Sequence, residues 1–241
     1  MELYLIRHGE IAGDPHQEYH APPRDLEGCL SETGVRQAAA LGDAMVEVRF
    51  DRVFASPLGR AIQTAQPLTR QPGTSIEVLP WLIEWRPATV LGECDETEYE
   101  TILAEASRRR PEACWKTPAG EGTLEMTHRV VTGFLATMAS LGVHAGHGGY
   151  LLDTPDDERR IAMVAHGGSL GVLTAFLLGV PIRPHAPVAF EQTGMAVFTF
   201  RQRVDVWYPT LRLTPPYPTE RLNEPDLTTT PEAAKQSNGH V

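Results

Sequence analysis

The stretches Leu3–Ile6 and Arg160–His166 constrain this chain most. Each is a short apolar run with almost no polar interruption. A strand with one wet face alternates apolar and polar residues. A run without alternation belongs to a strand buried on both sides, as at the centre of a parallel sheet covered by helices. Residues 51–55 and, more weakly, 75–80 read as further strands.

Segments of helical spacing lie between these runs. Residues 30–46 are one, with Ser31 as N-cap and Gly34 weakening the first turn. In residues 56–70, Ser56 can cap and Pro57 suits the first helical position. Residues 99–110 read as a helix stopped by Pro111, residues 120–142 as a long amphipathic helix, and residues 167–180 as an apolar helix opening on glycines. Residues 10–29 and 143–158 read as surface loops, and residues 194–200 and 204–209 as a closing antiparallel pair turned at Arg201–Arg203. Strands alternating with helices predict an α/β fold with a mostly parallel sheet and helices on both faces.

The 241 residues are 41% apolar, enough for one large core, expected over residues 1–213. Residues 214–241 are rich in Pro, Thr, Glu and Asn and read as a largely disordered tail. A formal net charge of −10 argues against a nucleic-acid partner, which needs a basic face. Cys29, Cys94 and Cys114 are widely spaced and include no CxxC pair, so neither a disulfide framework nor a zinc site is expected. No apolar run reaches the roughly 20 residues of a membrane helix, and no leader pattern precedes the first strand. The expectation is a cytoplasmic protein without a membrane partner; the oligomeric state is unread.

Three predicted strands end in polar residues of one kind. The first ends at Arg7-His8-Gly9, the second at Ser56 with Arg60 one turn into the next helix, and a later one at His166-Gly167-Gly168. In open parallel sheets the ligand site lies beyond the carboxyl ends of the strands, so these places converge. Singly, Arg7 and Arg60 read as solvated or salt-bridged arginines, His8 as a structural histidine and His166-Gly-Gly as a tight turn. Jointly, two arginines, two histidines and helix N-termini describe a pocket for a phosphate-like dianion. No GxxxxGK[ST] phosphate loop is present.

Arg7-His8-Gly9-Glu10, "LSETGVRQA", "ASPLGRAIQTA" and "AHGG" resemble four blocks of the histidine phosphatase superfamily, the phosphoglycerate mutase-like proteins, in the same order. The resemblance implies a three-layer α/β/α sandwich and phosphoryl transfer through a phosphohistidine, with no cofactor and no metal. It makes His8 the nucleophile, and Arg7, Arg60, His166 and Gly167 the holders of a small phosphorylated substrate. Leu82-Ile83-Glu84 matches the family's acid position, so Glu84 becomes the proton donor; a salt bridge to Arg86 is the competing reading, and Glu93 the runner-up acid. "PAGEG" resembles the family's "PGGES" at a helix start, which puts Glu121 in the corresponding place, read as a cap.

Physical chemistry adds conditions. Arg7, Arg60 and a protonated His166 would neutralise the dianion. His8 must be neutral to attack, and the adjacent cations favour that. Its second nitrogen needs an acceptor, for which a backbone carbonyl near Gly9 is placed. Gly9 lets the backbone turn without a side chain in the pocket. Asp14 stands where the family carries a phosphate-binding Asn, with His16, His20 and Arg24 as substitutes. Metal-independent phosphomonoester hydrolysis is the leading activity. The alternatives are a bisphosphoglycerate-dependent phosphoglycerate mutase and, lower, a non-catalytic phosphate-binding module. About 35 residues separate Glu84 from "GEG", fewer than the resemblance leads one to expect of a mutase.

Overall fold

Leu3 and Leu5 of the first strand, β1 (Glu2–Arg7), pack into one core, while Tyr4 and Ile6 pack into another. The unbroken apolar run thus serves two interiors, with successive side chains sent to opposite faces. The same division runs along β8 (Arg160–Ala165), where Ile161, Met163 and Ala165 face one core and Ala162 and Val164 the other.

The computed structural model describes residues 1–13, 29–92, 94–108, 114–154, 157–182 and 189–212. Asp14, His16, His20, Arg24, Glu93 and the 214–241 segment lie outside the described residues. Between β1 and β8 come α1 (Glu32–Ala44), β2 (Arg52–Ala55), α2 (Gly59–Ala65), β3 (Ile76–Val78), α3 (Glu96–Arg108), β4 (Lys116–Thr117), β5 (Gly120–Glu121), α4 (Thr123–Ser140), β6 (Val143–Gly146) and β7 (Gly149–Leu152). After β8 come α5 (Gly167–Leu178), β9 (Met195–Arg203) and β10 (Val206–Arg212).

Met126, Val130, Phe134 and Met138 recur every four residues along α4 and meet Leu170, Leu173 and Leu177 of α5 over one face of the sheet. Leu41 of α1 and Ala61 and Ala65 of α2 cover the other face. The result is the α/β/α sandwich. Strand order is β3-β2-β8-β1-β9-β10-β7-β6. The half that carries the polar strand ends, β3 to β1, is parallel throughout. Arg7 lies level with Ala165, and Ala55 with Val164, so the residues that follow each strand emerge at one rim.

Local departures from the sequence reading have physical causes. Ser31 does cap α1, accepting the Gly34 N–H at 3.0 Å. Ser56 does not cap α2, which begins at Gly59 after Leu58; the Ser56 hydroxyl is engaged elsewhere. Residues 143–152 are not loop but the β6–β7 hairpin, closed by His147 and Gly148, both at positive φ, which is the two-residue turn that suits strand twist. The final hairpin turns at Val204–Asp205, later than expected, since β9 runs on to Arg203.

Residues 88–119 leave the sandwich and return through one neck. Ala88 N–H donates to Ala119 O at 2.8 Å, and Glu121 N–H to Arg86 O at 2.8 Å. Leu91, Ala106 and Ala119 form a small separate core there, with Trp85, Tyr99, Ile102 and Leu103 against it. Among the described residues, no helix is long and apolar enough to cross a membrane.

Candidate active site

His8 follows the last residue of β1 and is 7% exposed. Its Nδ1 lies 2.6 Å from the Gly9 carbonyl oxygen. A carbonyl only accepts, so Nδ1 carries the proton and Nε2 keeps its lone pair. Burial is the main cause that lowers the His8 pKa to about 4; Arg60 and Arg7 add to it, while the bond to Gly9 works against it. The expected neutral imidazole is therefore present, though desolvation does more than the neighbouring cations. Gly9 itself answers a packing need, since a Cβ there would meet the Gly34 carbonyl oxygen at 2.9 Å. Its N–H donates to Thr64 Oγ1, whose hydroxyl donates to the Arg60 carbonyl, and this ties α2 to the end of β1.

Arg7 lies against the last loop, with Nη1 donating to the Phe190 carbonyl at 2.6 Å. Its Nε is buried and has no hydrogen-bond partner among the described residues. Arg60 is buried on the first turn of α2. His166 is completely buried as the N-cap of α5, its ring centroid 5.0 Å from that of His8. Its Nε2 is 2.7 Å from Ser56 Oγ. Burial first, then His8, Arg60 and Arg7, drive the His166 pKa well below its usual value. These causes favour the neutral imidazole, whereas the sequence reading expects a protonated His166 facing the dianion. Gly167 opens α5 beside the Arg7 guanidinium.

Glu84 follows a 3-10 turn, Pro80–Leu82. Its Oε2 accepts the Gly168 N–H at 3.1 Å, and its Oε1 accepts the Trp85 N–H at 2.8 Å. A Cβ on Gly168 would lie 2.4 Å from Glu84 Oε1, so the second glycine of the His-Gly-Gly motif is the space the carboxylate needs. Glu84 is not paired with Arg86, whose guanidinium goes to Glu121 at 3.2 Å. Glu121 is not a helix cap either: Gly122 holds that position, and the Glu121 carboxylate is filled by Arg86 and Arg129.

Two residues have partners that the sequence reading did not give them. Ser56 was assigned to the helix start, and only the register of β2 beside β8 brings it to His166. Arg129 lies eight residues after Glu121, which is on β5, so no i,i+3 or i,i+4 spacing along α4 marks the pair. The assembled rim offers cationic groups, a helix N-terminus, one unprotonated imidazole nitrogen and one carboxyl group, which together suit attack on a phosphoryl dianion.

A sequence model of the histidine phosphatase superfamily (branch 1) matches residues 3–207. A relative named "Probable phosphoglycerate mutase GpmB", from Erwinia tasmaniensis, is 27% identical over 186 residues, 75% of this chain and 76% of its own. Glucosyl-3-phosphoglycerate phosphatase of Mycolicibacterium vanbaalenii is 28% identical over 187 residues, 75% of each chain. The crystal structure of the alpha-ribazole phosphatase from Shigella flexneri shares the fold, with a TM-score of 0.65, 24% identity, and coverage of 88% of this chain and 95% of its own.

Proposed function

We infer from a chain that belongs to the histidine phosphatase superfamily, branch 1, that this rim hydrolyses phosphomonoesters of small metabolites through a phosphohistidine on His8. The observation that carries the reading is the His8 Nδ1 contact to the Gly9 carbonyl at 2.6 Å, which leaves Nε2 as the nucleophile beside Arg7 and Arg60.

The steps balance as follows. His8 Nε2 attacks phosphorus, the bond from phosphorus to the ester oxygen breaks, and that oxygen leaves with a proton from Glu84. The imidazole becomes cationic, and the Gly9 carbonyl accepts from its Nδ1–H. Arg7, Arg60 and the amino end of α5 hold the phosphoryl oxygens. Glu84, now a carboxylate, takes a proton from water. That water attacks phosphorus, the N–P bond breaks, and inorganic phosphate leaves with His8 neutral again. His166 starts neutral, and the charge of a bound phosphoryl dianion beside it favours uptake of a proton from solvent.

Hydrolysis of a chromogenic phosphate ester in EDTA tests this. Activity lost in H8A, with an acid-labile phosphoryl group trapped on the wild-type protein, is the expected result. Activity retained in H8A, or dependent on a divalent metal, overturns it. The mutase alternative has several relatives bearing that name, and others bear phosphatase names. Incubation with 3-phosphoglycerate and its bisphosphate primer separates the two: release of free phosphate fits the hydrolase, and isomer exchange without release fits the mutase. A cytoplasmic setting belongs to the same proposal and is supported by the three cysteines forming no disulfide.

A further inference from the structure

The loop that presents Glu84 is held by a largely buried ion pair, Arg129 with Glu121, beside Arg86. Arg129 Nη1 donates to the carbonyls of Trp81 at 2.7 Å and Ile83 at 2.9 Å, and Nη2 reaches the carbonyl of Glu84 itself at 3.4 Å. The opposite edge of the guanidinium binds Glu121 in a fork, Nε to Oε1 at 2.8 Å and Nη2 to Oε2 at 2.7 Å. Glu121 in turn accepts the Arg86 N–H at 3.3 Å, and its carbonyl accepts the Trp85 indole N–H at 2.6 Å. Residues on both sides of Glu84 are thereby fastened to one side-chain pair. The Glu121 side chain is 1% exposed and that of Arg129 is 11% exposed.

We propose that Arg129, locked by Glu121, is the positioning residue for Glu84. Arg129 stands on α4 and hydrogen-bonds neither imidazole, so it reaches Glu84 through the loop, while its charge adds only the smallest of the electrostatic pushes on His166. Its planar fork spans three carbonyls and a carboxylate at once, which a lysine ammonium cannot do. A purely stabilising pair would have no reason to converge on the backbone of one acid. The placement also has a chemical consequence. The proton from Glu84 matters in proportion to how poor the leaving group is. Misplacing the acid must therefore slow alkyl phosphates while sparing esters whose oxygen leaves as a stable anion.

The inference rests on Glu84 being the proton donor, and the test keeps the two apart. It compares kcat/KM, which covers steps through the first phosphoryl transfer only, for 2,4-dinitrophenyl phosphate and glycerol phosphate in wild type, E84Q, R129K and R129M. In E84Q the alkyl ester should slow by about 10²–10⁴-fold and the dinitrophenyl ester far less. R129M, and more mildly R129K, should reproduce that pattern, losing at least about tenfold more on glycerol phosphate than on the aryl ester. Equal losses on both esters in R129M, or none, overturn the proposal while leaving Glu84 in its role. Absence of leaving-group discrimination in E84Q overturns the reading of Glu84 itself. Failure of R129K to fold, with the charge retained, also overturns the proposal, because it assigns the guanidinium to stability alone.

Discussion

Gly168 and Glu84 are fitted to each other: the glycine N–H donates to one carboxylate oxygen at 3.1 Å, and the absent Cβ would stand 2.4 Å from the other. The loop of Glu84 and the start of α5 come from distant parts of the chain, yet the second glycine after His166 sets where the carboxylate rests. G168A is expected to lower kcat/KM on alkyl phosphates by about a hundredfold, within the usual worth of a placed acid. Its melting temperature should hardly fall, since Ala suits a helix better than Gly by about 1 kcal/mol. Steady-state kinetics beside a thermal melt checks both; an unchanged rate would mean that Glu84 need not sit where it does.

The lowered pKa of His8 ties stability to pH. Unfolded, the imidazole titrates near 6.5; folded, at about 4. Between those values the unfolded chain holds a proton that the folded chain does not. Stability from this group is therefore complete above pH 6.5 and lost as pH falls toward 4, by about 3 kcal/mol in full. Urea denaturation at pH 7 and pH 4.5 should show a smaller loss for H8Q than for the wild type. Identical losses would remove His8 as the cause.

Ser56 should govern the second imidazole. Its hydroxyl is the recorded partner of His166 Nε2, at 2.7 Å. S56A is expected to cost about tenfold in kcat/KM and to lower stability by about 1–3 kcal/mol, because a buried imidazole nitrogen loses its partner. A rate equal to the wild type would show that α5 alone orients the ring.

Gly34 provides a test of packing. A Cβ there would lie 2.0 Å from the Glu10 carbonyl oxygen. Although Ala favours a helix, G34A should destabilise by about 2 kcal/mol, because the backbone after His8 must move to admit it. Equilibrium denaturation reads the sign; a more stable variant would show that the segment yields freely.

The strand ends were legible in the sequence because burial on both faces leaves a plain mark, and Arg7, His8, Arg60 and His166 follow from where those runs stop. Glu84 became legible only through the resemblance of its local motif. Ser56 and Glu121 were visible but given the wrong work. Both were read against neighbours in sequence, as caps, whereas their partners His166, Arg129 and Arg86 are brought by sheet register and by a neck that closes after a long excursion. Arg129 left no mark, since what distinguishes it is a set of backbone carbonyls that any sequence would supply. The β6–β7 hairpin was missed because His147 adopts a left-handed conformation more often given to Asn or Gly.

The position of β1 also bears on how the chain reaches this state during synthesis. Its neighbours are β8 on one side and β9 on the other, so Leu3 pairs with Ile161 and Phe198. The strand that ends at His8 is thus made long before either edge it needs, and its second edge stays open until β9 has been made. Such distant pairing makes folding slow and exposes an apolar strand meanwhile. Enclosure of His8, early in the chain, therefore waits on strands made much later.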